Sequence, residues 1–225
     1  MTGYNLISLK DMIEELGEDK TREILSSFSC PLNPDVEIFL KNTAILFDKQ
    51  HLSATHLVFA SYKQENQIAG YFTLAQKAFT ISNSRKPHTS KISNSLMKKI
   101  TKYGTYDNHS EFHTIPALLI AQLGRNFGCG DSKNKLISGD ELLKIACTKV
   151  WDIQRVFSGK HVYIECENKP KLIDFYTSNG FVQFGTRLLD ADEKDISGEY
   201  LVQMLKDLKA AYSTKASPKP PKKKS

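Results

Sequence analysis

Residues 165–185 read ECENKPKLIDFYTSNGFVQFG. The stretch begins where the apolar strand "HVYIEC" (161–166) ends, and a short helix then carries Phe175 and Tyr176 side by side. Asn179-Gly180 supplies the left-handed stop that closes a helix, so the next strand can open at Phe181. Phe175 and Leu172 can pack on the sheet, which would turn the Tyr176 hydroxyl toward a cleft at the sheet rim. The alternative is an amphipathic core tyrosine with a satisfied hydroxyl.

Working outward, strands and helices alternate through the second half of the chain. "FHTIPALLIAQLGR" (112–125) is a near-continuous apolar strand, the pattern of a central strand covered on both faces. A long helix is expected from Gly139 to about Phe157, with Leu142, Ala146, Val150 and Ile153 on one stripe. The strand "FVQFGTRLL" follows, then a last amphipathic helix near Glu199–Tyr212. Upstream, a helix follows Asn33-Pro34, "THLVFASY" (55–62) is a strand, "QENQ" its hairpin turn, and "IAGYFTLAQKAFTI" the partner strand. "SNSRKPHTSKISNS" (82–95) reads as a mobile basic loop, followed by a short helix at Leu96–Lys102. The alternation predicts one mixed sheet with helices on both faces.

Composition narrows the class. The chain has 225 residues and 40% apolar content, enough for one well-buried domain with tails. Its first twenty residues carry charges throughout, so no secretory signal is read there, and "IPALLIAQL" is too short for a membrane span. A soluble, cytoplasmic protein is expected, with no membrane partner. The net charge of +6 belongs to the segment from Lys206 onward, whose Pro/Lys/Ser-rich end is expected to be disordered; residues 1–205 are formally neutral. Cys30, Cys129, Cys147 and Cys166 show no CxxC spacing and read as free thiols. The two histidines of "HSEFH" (109–113) lack the helical HExxH order of zinc proteases, and neither GxSxG nor GxxxxGK[ST] occurs.

The segment "NKLISGDELLKIA" has two readings. Ser138-Gly139-Asp140-Glu141 is a capping box. A loop leading into a helix N-terminus is also an anion site, because several amides there lack internal partners. Both readings compete for the same amides.

Together these pieces resemble the GNAT superfamily of acyl-CoA-dependent N-acetyltransferases over roughly residues 25–187. FYTSNGF (175–181) looks like the family's F/LY-x-x-x-GF signature, in which the tyrosine lies beside the sulfur of coenzyme A. "NQIAGYFTLA" (66–75) is similar to its central hairpin strand, and "IPALLIAQLGR" to the strand before the pyrophosphate loop. "LISGDELLKIACTKV" falls where the family has its R/Q-x-x-G-x-G/A loop, although Asn134 then stands at the Arg/Gln position and Ile137 at the first glycine.

The resemblance implies a mixed α/β (α+β) fold with a mixed, mostly antiparallel central sheet. It divides the chain into an N-terminal segment (1–24), an acyltransferase domain (25–190), a C-terminal helix (191–212) and a basic tail (213–225). It also implies acetyl-CoA as cosubstrate and Tyr176 as the acid that protonates the departing thiolate. The cofactor site would comprise Leu123, Gly124, Arg125 and Asn126, with Asn134, Lys135, Ile137, Ser138, Gly139 and Asp140. A strand amide near Leu123–Asn126 would serve the oxyanion. Glu165, Glu167 and Glu111 could each act as base through water, and none is singled out.

The acceptor would be an amine. The layout looks particularly like the acetyltransferase toxins of toxin–antitoxin pairs, which acetylate aminoacyl-tRNA; tRNA and a homodimer are therefore expected partners. The rival expectation is a GNAT-like binding or regulatory module with weak catalysis, which Ile137 at a glycine position would favour.

Overall fold

A computed structural model describes residues 3–82, 93–128, 136–190 and 198–208. Most of the basic loop expected at 82–95, Cys129, Asn134, Lys135 and the tail beyond 208 lie outside the described residues. The strands are β1 (Tyr4–Ser8), β2 (Ala54–Tyr62), β3 (Glu65–Ser82), β4 (Thr105–Asp107), β5 (Phe112–Arg125), β6 (His161–Glu167), β7 (Val182–Leu188) and β8 (Tyr200–Asp207). They form one sheet in the order β1-β2-β3-β5-β6-β8-β7, with β4 on the start of β5. Every pairing is antiparallel except β5 with β6.

Helices cover both faces. On one side lie α1 (Leu9–Leu16), α2 (Glu18–Ser26), α3 (Pro34–Ile38) and α4 (Ala44–Lys49). Leu9, Leu25, Val36 and Ile45 from them, with Leu40 between α3 and α4, bury against Leu57, Ile68 and Tyr71 of the sheet. On the other lie α6 (Gly139–Phe157) and α7 (Pro170–Ser178). Leu142, Ala146 and Val150 of α6 meet Phe72, Leu74, Val162, Ile164 and Met204 there. A smaller cluster around Phe79, Tyr163 and Phe184 is closed by Ile100 of α5 (Asn94–Thr101).

Two local expectations need correction, and one strand was not read at all. The last element is a strand: Tyr200–Asp207 inserts as β8 between β6 and β7, where an amphipathic helix near Glu199–Tyr212 was expected. Being covered on both faces, Leu201 to Leu205 are all buried, and a doubly buried run loses the period-2 signal that marks a strand. The β2–β3 turn falls at Lys63-Gln64, not at "QENQ". Both residues are left-handed, at φ 51° and 66°, and Tyr62 pairs with Glu65, a two-residue turn of the primed kind that matches strand twist. Strand β4 was not foreseen; it has three exposed residues and no apolar pattern.

One feature of the sheet positions the cleft. β5 and β6 are in register only at Leu118–Val162 and Leu119–Tyr163. Beyond these, β5 continues to Arg125 against β3 and β6 to Glu167 against β8. Each strand keeps its outer partner while the inner edges part, so the sheet splays open in the middle.

Candidate active site

The splay opens into a cleft of about 590 Å³. Leu119 to Leu123 of β5 form one wall, Cys166 and Glu167 of β6 with Leu172 and Tyr176 of α7 the opposite one, and Pro34, Phe39 and Phe47 the roof. Helix α7 is short because its end is fixed. Gly180 takes φ 82°, its amide donates to the Thr177 carbonyl at 2.9 Å, and the Phe181 amide donates to the Tyr176 carbonyl at 3.0 Å. This paired geometry is the Schellman stop expected of Asn179-Gly180. The Tyr176 ring packs edge-on against Phe175 (4.9 Å) and Phe181 (5.7 Å).

The hydroxyls of the tyrosines divide into satisfied and unsatisfied ones, and of the unsatisfied pair Tyr163 is sealed in the core while Tyr176 lies on the cleft. Tyr71 donates to the Val36 carbonyl at 2.6 Å, and Tyr4 to the Leu136 carbonyl at 3.0 Å. Tyr176 lines the cleft and its hydroxyl has no partner among the described residues. Burial raises its pKa above the ordinary 10, and the nearby Cys166 and Cys147 add to the effect. Cys30, Cys147 and Cys166 are buried free thiols.

At the end of β5 the expected cofactor residues divide by role. Leu123 lines the cleft. Gly124 packs closely: a Cβ there would stand 2.3 Å from Val36 Cγ1. Arg125 lies over the Phe127 ring at 4.8 Å and donates to the Ile137 carbonyl at 3.4 Å. Asn126 is 8% exposed and ties loops together, accepting from the amides of Ser29 and Gly128 and donating to the Ile68 carbonyl. Its own amide donates to Ala69 of β3 at 2.9 Å. Alternation along the ladder then turns the amides of Leu123 and Arg125 away from β3, toward the splay.

At the start of α6 the capping box is formed. Ser138 Oγ accepts from the Glu141 amide, and the Glu141 carboxylate accepts from the Ser138 amide at 3.0 Å. Those Ser138 bonds, backbone first, hold the Glu141 carboxyl below its usual range. Ile137 is 2% exposed and points into the core under α6, so its side chain leaves the outer surface of the turn clear. The amides of Gly139 and Asp140 have no acceptor among the described residues. Gly139 also lets α6 approach α7, since a Cβ would meet the Phe175 ring at 3.2 Å. Asn179 then donates to the Asp140 carboxylate at 2.7 Å and joins the two helix ends.

The three carboxylates considered as bases are placed apart. Glu165 lines the cleft, but its oxygens accept from Arg187 Nε (2.9 Å) and Gln203 Nε2 (2.8 Å), with Lys77 at 3.8 Å. Glu167 is paired with Lys169 at 2.7 Å. Glu111 sits in the turn before β5 and does not line the cleft. Asp35, at the start of α3, does line it and accepts from Gln122 Nε2 at 3.2 Å. Sequence reading passed it over, because an acid after Asn33-Pro34 is what any helix start favours.

No protein-family model matches the sequence, and no curated protein matches it. Solved structures do match. A tyrosine-to-phenylalanine mutant of KacT superposes with a TM-score of 0.61 at 13% identity, covering 94% of this chain and 99% of that one. AtaT complexed with acetyl-methionyl-tRNAfMet gives 0.60 at 17% identity, over 95% and 99%. This is the GNAT fold. AtaTR bound with AcCoA shares it at 15% identity and a TM-score of 0.55, over 96% and 100%. In this chain the GNAT fold thus comes with its parted central strands and with a tyrosine at the rim of the cleft between them.

Proposed function

We propose that this chain is an acetyl-CoA-dependent N-acetyltransferase that transfers acetyl directly to an amine. The observation that carries the reading is the Tyr176 hydroxyl, unpartnered among the described residues, on the cleft where β5 and β6 part. The residues fit the cosubstrate. The parted strands offer unpaired edge groups to an amide-bearing arm, and the Gly139 and Asp140 amides at the start of α6 suit a diphosphate. Leu123, Arg125, Ile137 and Ser138 would frame it; Gly124 and Asn126 would shape the frame from behind, and Asn134 and Lys135 complete the proposed set.

Acetyl-CoA, when bound, supplies the thioester. The Leu123 amide, turned toward the splay, would donate to the carbonyl oxygen as negative charge grows there. The amine nitrogen forms its bond to the carbonyl carbon and the carbon–sulfur bond breaks. Tyr176 gives its proton to the departing sulfur, and the proton shed by the nitrogen restores the phenol, so the step balances as acetyl amide plus free thiol.

AtaT is solved with acetyl-methionyl-tRNAfMet, which makes aminoacyl-tRNA the first acceptor to try for this chain. The test is transfer of labelled acetyl from acetyl-CoA to a panel of amines that includes charged tRNA. Label appearing in one acceptor class supports the reading; no transfer to any, with no acetyl-CoA binding, removes it. The capping box favours the rival, a weakly catalytic binding module, because Glu141 already occupies the Ser138 amide. Acetyl-CoA binding without turnover would mark that case.

A further inference from the structure

The cleft contains three carboxylates, and they differ in what neutralises them. Glu165, with a side chain only 7% exposed, is held by Arg187, Lys77 and Gln203. Glu167 is paired with Lys169. Asp35 is held by one neutral donor, Gln122, through Oδ2, and Oδ1 has no partner among the described residues. A carboxylate that faces a cleft with no cation beside it leaves a place for a cationic ligand.

The surroundings of Asp35 are apolar. Val36, Phe39, Phe47, Leu52 and Leu32 line the same side of the cleft, and Leu52 and Leu32 are 55% and 76% exposed. The helix is built to bring two of these rings together. Eight residues of α-helix turn about 800°, which would leave Phe39 and Phe47 about 80° apart. Between α3 and α4 the chain instead makes a π turn, Phe39–Thr43, whose wider i→i+5 path absorbs that difference. The two rings meet edge to face at 5.8 Å on the cleft wall.

We propose that Asp35 anchors the ammonium of the acceptor and that the Phe39–Phe47–Leu52 wall takes its side chain, so that the preferred acceptor is an α-amine bearing an apolar or aromatic side chain. The assignment rests on the transferase reading above and deepens it. It explains why Gln122 reaches across from β5: the bond fixes one carboxylate oxygen and leaves the other directed to ligand. Acidic side chains are disfavoured, since Asp35 repels them and the wall offers them no donor.

The test separates binding from catalysis. Isothermal titration of the full chain uses L-phenylalaninamide, glycinamide and N-acetyl-L-phenylalaninamide, the last without an ammonium. Phenylalaninamide is expected to bind more tightly than glycinamide, and the acetylated compound not at all. Asp35→Asn should weaken phenylalaninamide about 10- to 100-fold, the range of a charge-assisted bond, with acetyl-CoA affinity unchanged. Leu52→Asn, a neutral change at a side chain 55% exposed, should weaken phenylalaninamide and leave glycinamide as it was. Failure of phenylalaninamide to bind the wild type, or equal binding to the Asp35→Asn protein, overturns the assignment. Asp35-dependent binding with no acetyl transfer to any acceptor would leave the amine site standing and remove the transferase reading instead.

Discussion

A phenol whose pKa lies above 10 stays protonated throughout the neutral range, so Tyr176 starts the step as a proton donor and not as a base. On the proposed reading it serves the leaving thiolate; an acceptor that arrives as an ammonium must lose one proton elsewhere before it attacks, and the proton its nitrogen sheds on attack then restores the phenol. Tyr176→Phe keeps the ring and its contacts with Phe175 and Phe181 and deletes only the donor. Turnover should fall roughly 10²–10⁴-fold, while acetyl-CoA binding, followed by thermal shift, is retained. Turnover equal to wild type would take the acid out of the scheme. Because burial raises this pKa, the wild-type rate should also show no alkaline fall near pH 10 attributable to a phenol. The place of Tyr176 on the cleft was legible in the sequence because FYTSNGF carries its helix, its stop and the next strand within seven residues. Asp35 was not, because the glutamine that aims it lies 87 residues away, and no local pattern encodes that meeting.

At the scale of elements, two glycines test how the cleft is built. Gly180 has φ 82° and its nearest outside atom to a built Cβ is Lys206 Cε at 3.7 Å, an ordinary contact. Gly180→Ala is therefore penalised by backbone conformation alone, by about 1–2 kcal/mol, and chemical denaturation should read that loss. A cost near zero would mean that the helix end can be remade. Gly124 is the opposite case. Its backbone is ordinary strand, and the barrier is Val36 Cγ1 at 2.3 Å. Gly124→Ala should cost about 1–3 kcal/mol by overpacking, and adding Val36→Ala should return part of it. Absence of rescue would show that the rings of Phe28 and Tyr71, each 3.2 Å from the same Cβ, limit the site and not Val36. The elements themselves were read well where one face is wet or the apolar run is long, as for α6 and β5. β8 was misread as a helix because Leu201, Met204, Leu205 and Leu208 also sit at helical spacing; only the place between β6 and β7 decides between the two.

Across the whole molecule, the sheet is covered by helices on both sides, and that cover encloses two imidazoles, His56 and His161, of which His56 is the more strongly shifted. His56 on β2 is 7% exposed, lies 5.2 Å from the Phe72 ring, and is within electrostatic range of Lys149 of α6 and Asp11 of α1. Burial first, then the Lys149 charge, lowers its pKa from 6.5 to about 4. The unfolded chain therefore binds a proton below pH 6.5 that the folded chain refuses until about pH 4. Stability is fully present above 6.5 and drains away as pH falls through that window, by roughly 3 kcal/mol at its lower end. His56→Phe keeps an aromatic ring against Phe72 and removes the titration. Urea melts of both proteins at pH 7 and pH 4 should show the variant losing less stability over that span by about the same amount. If the two proteins lose equal stability on acidification, His56 is not enclosed as described, and the packing of α6 over this face of β2 must be looser than the structure has it.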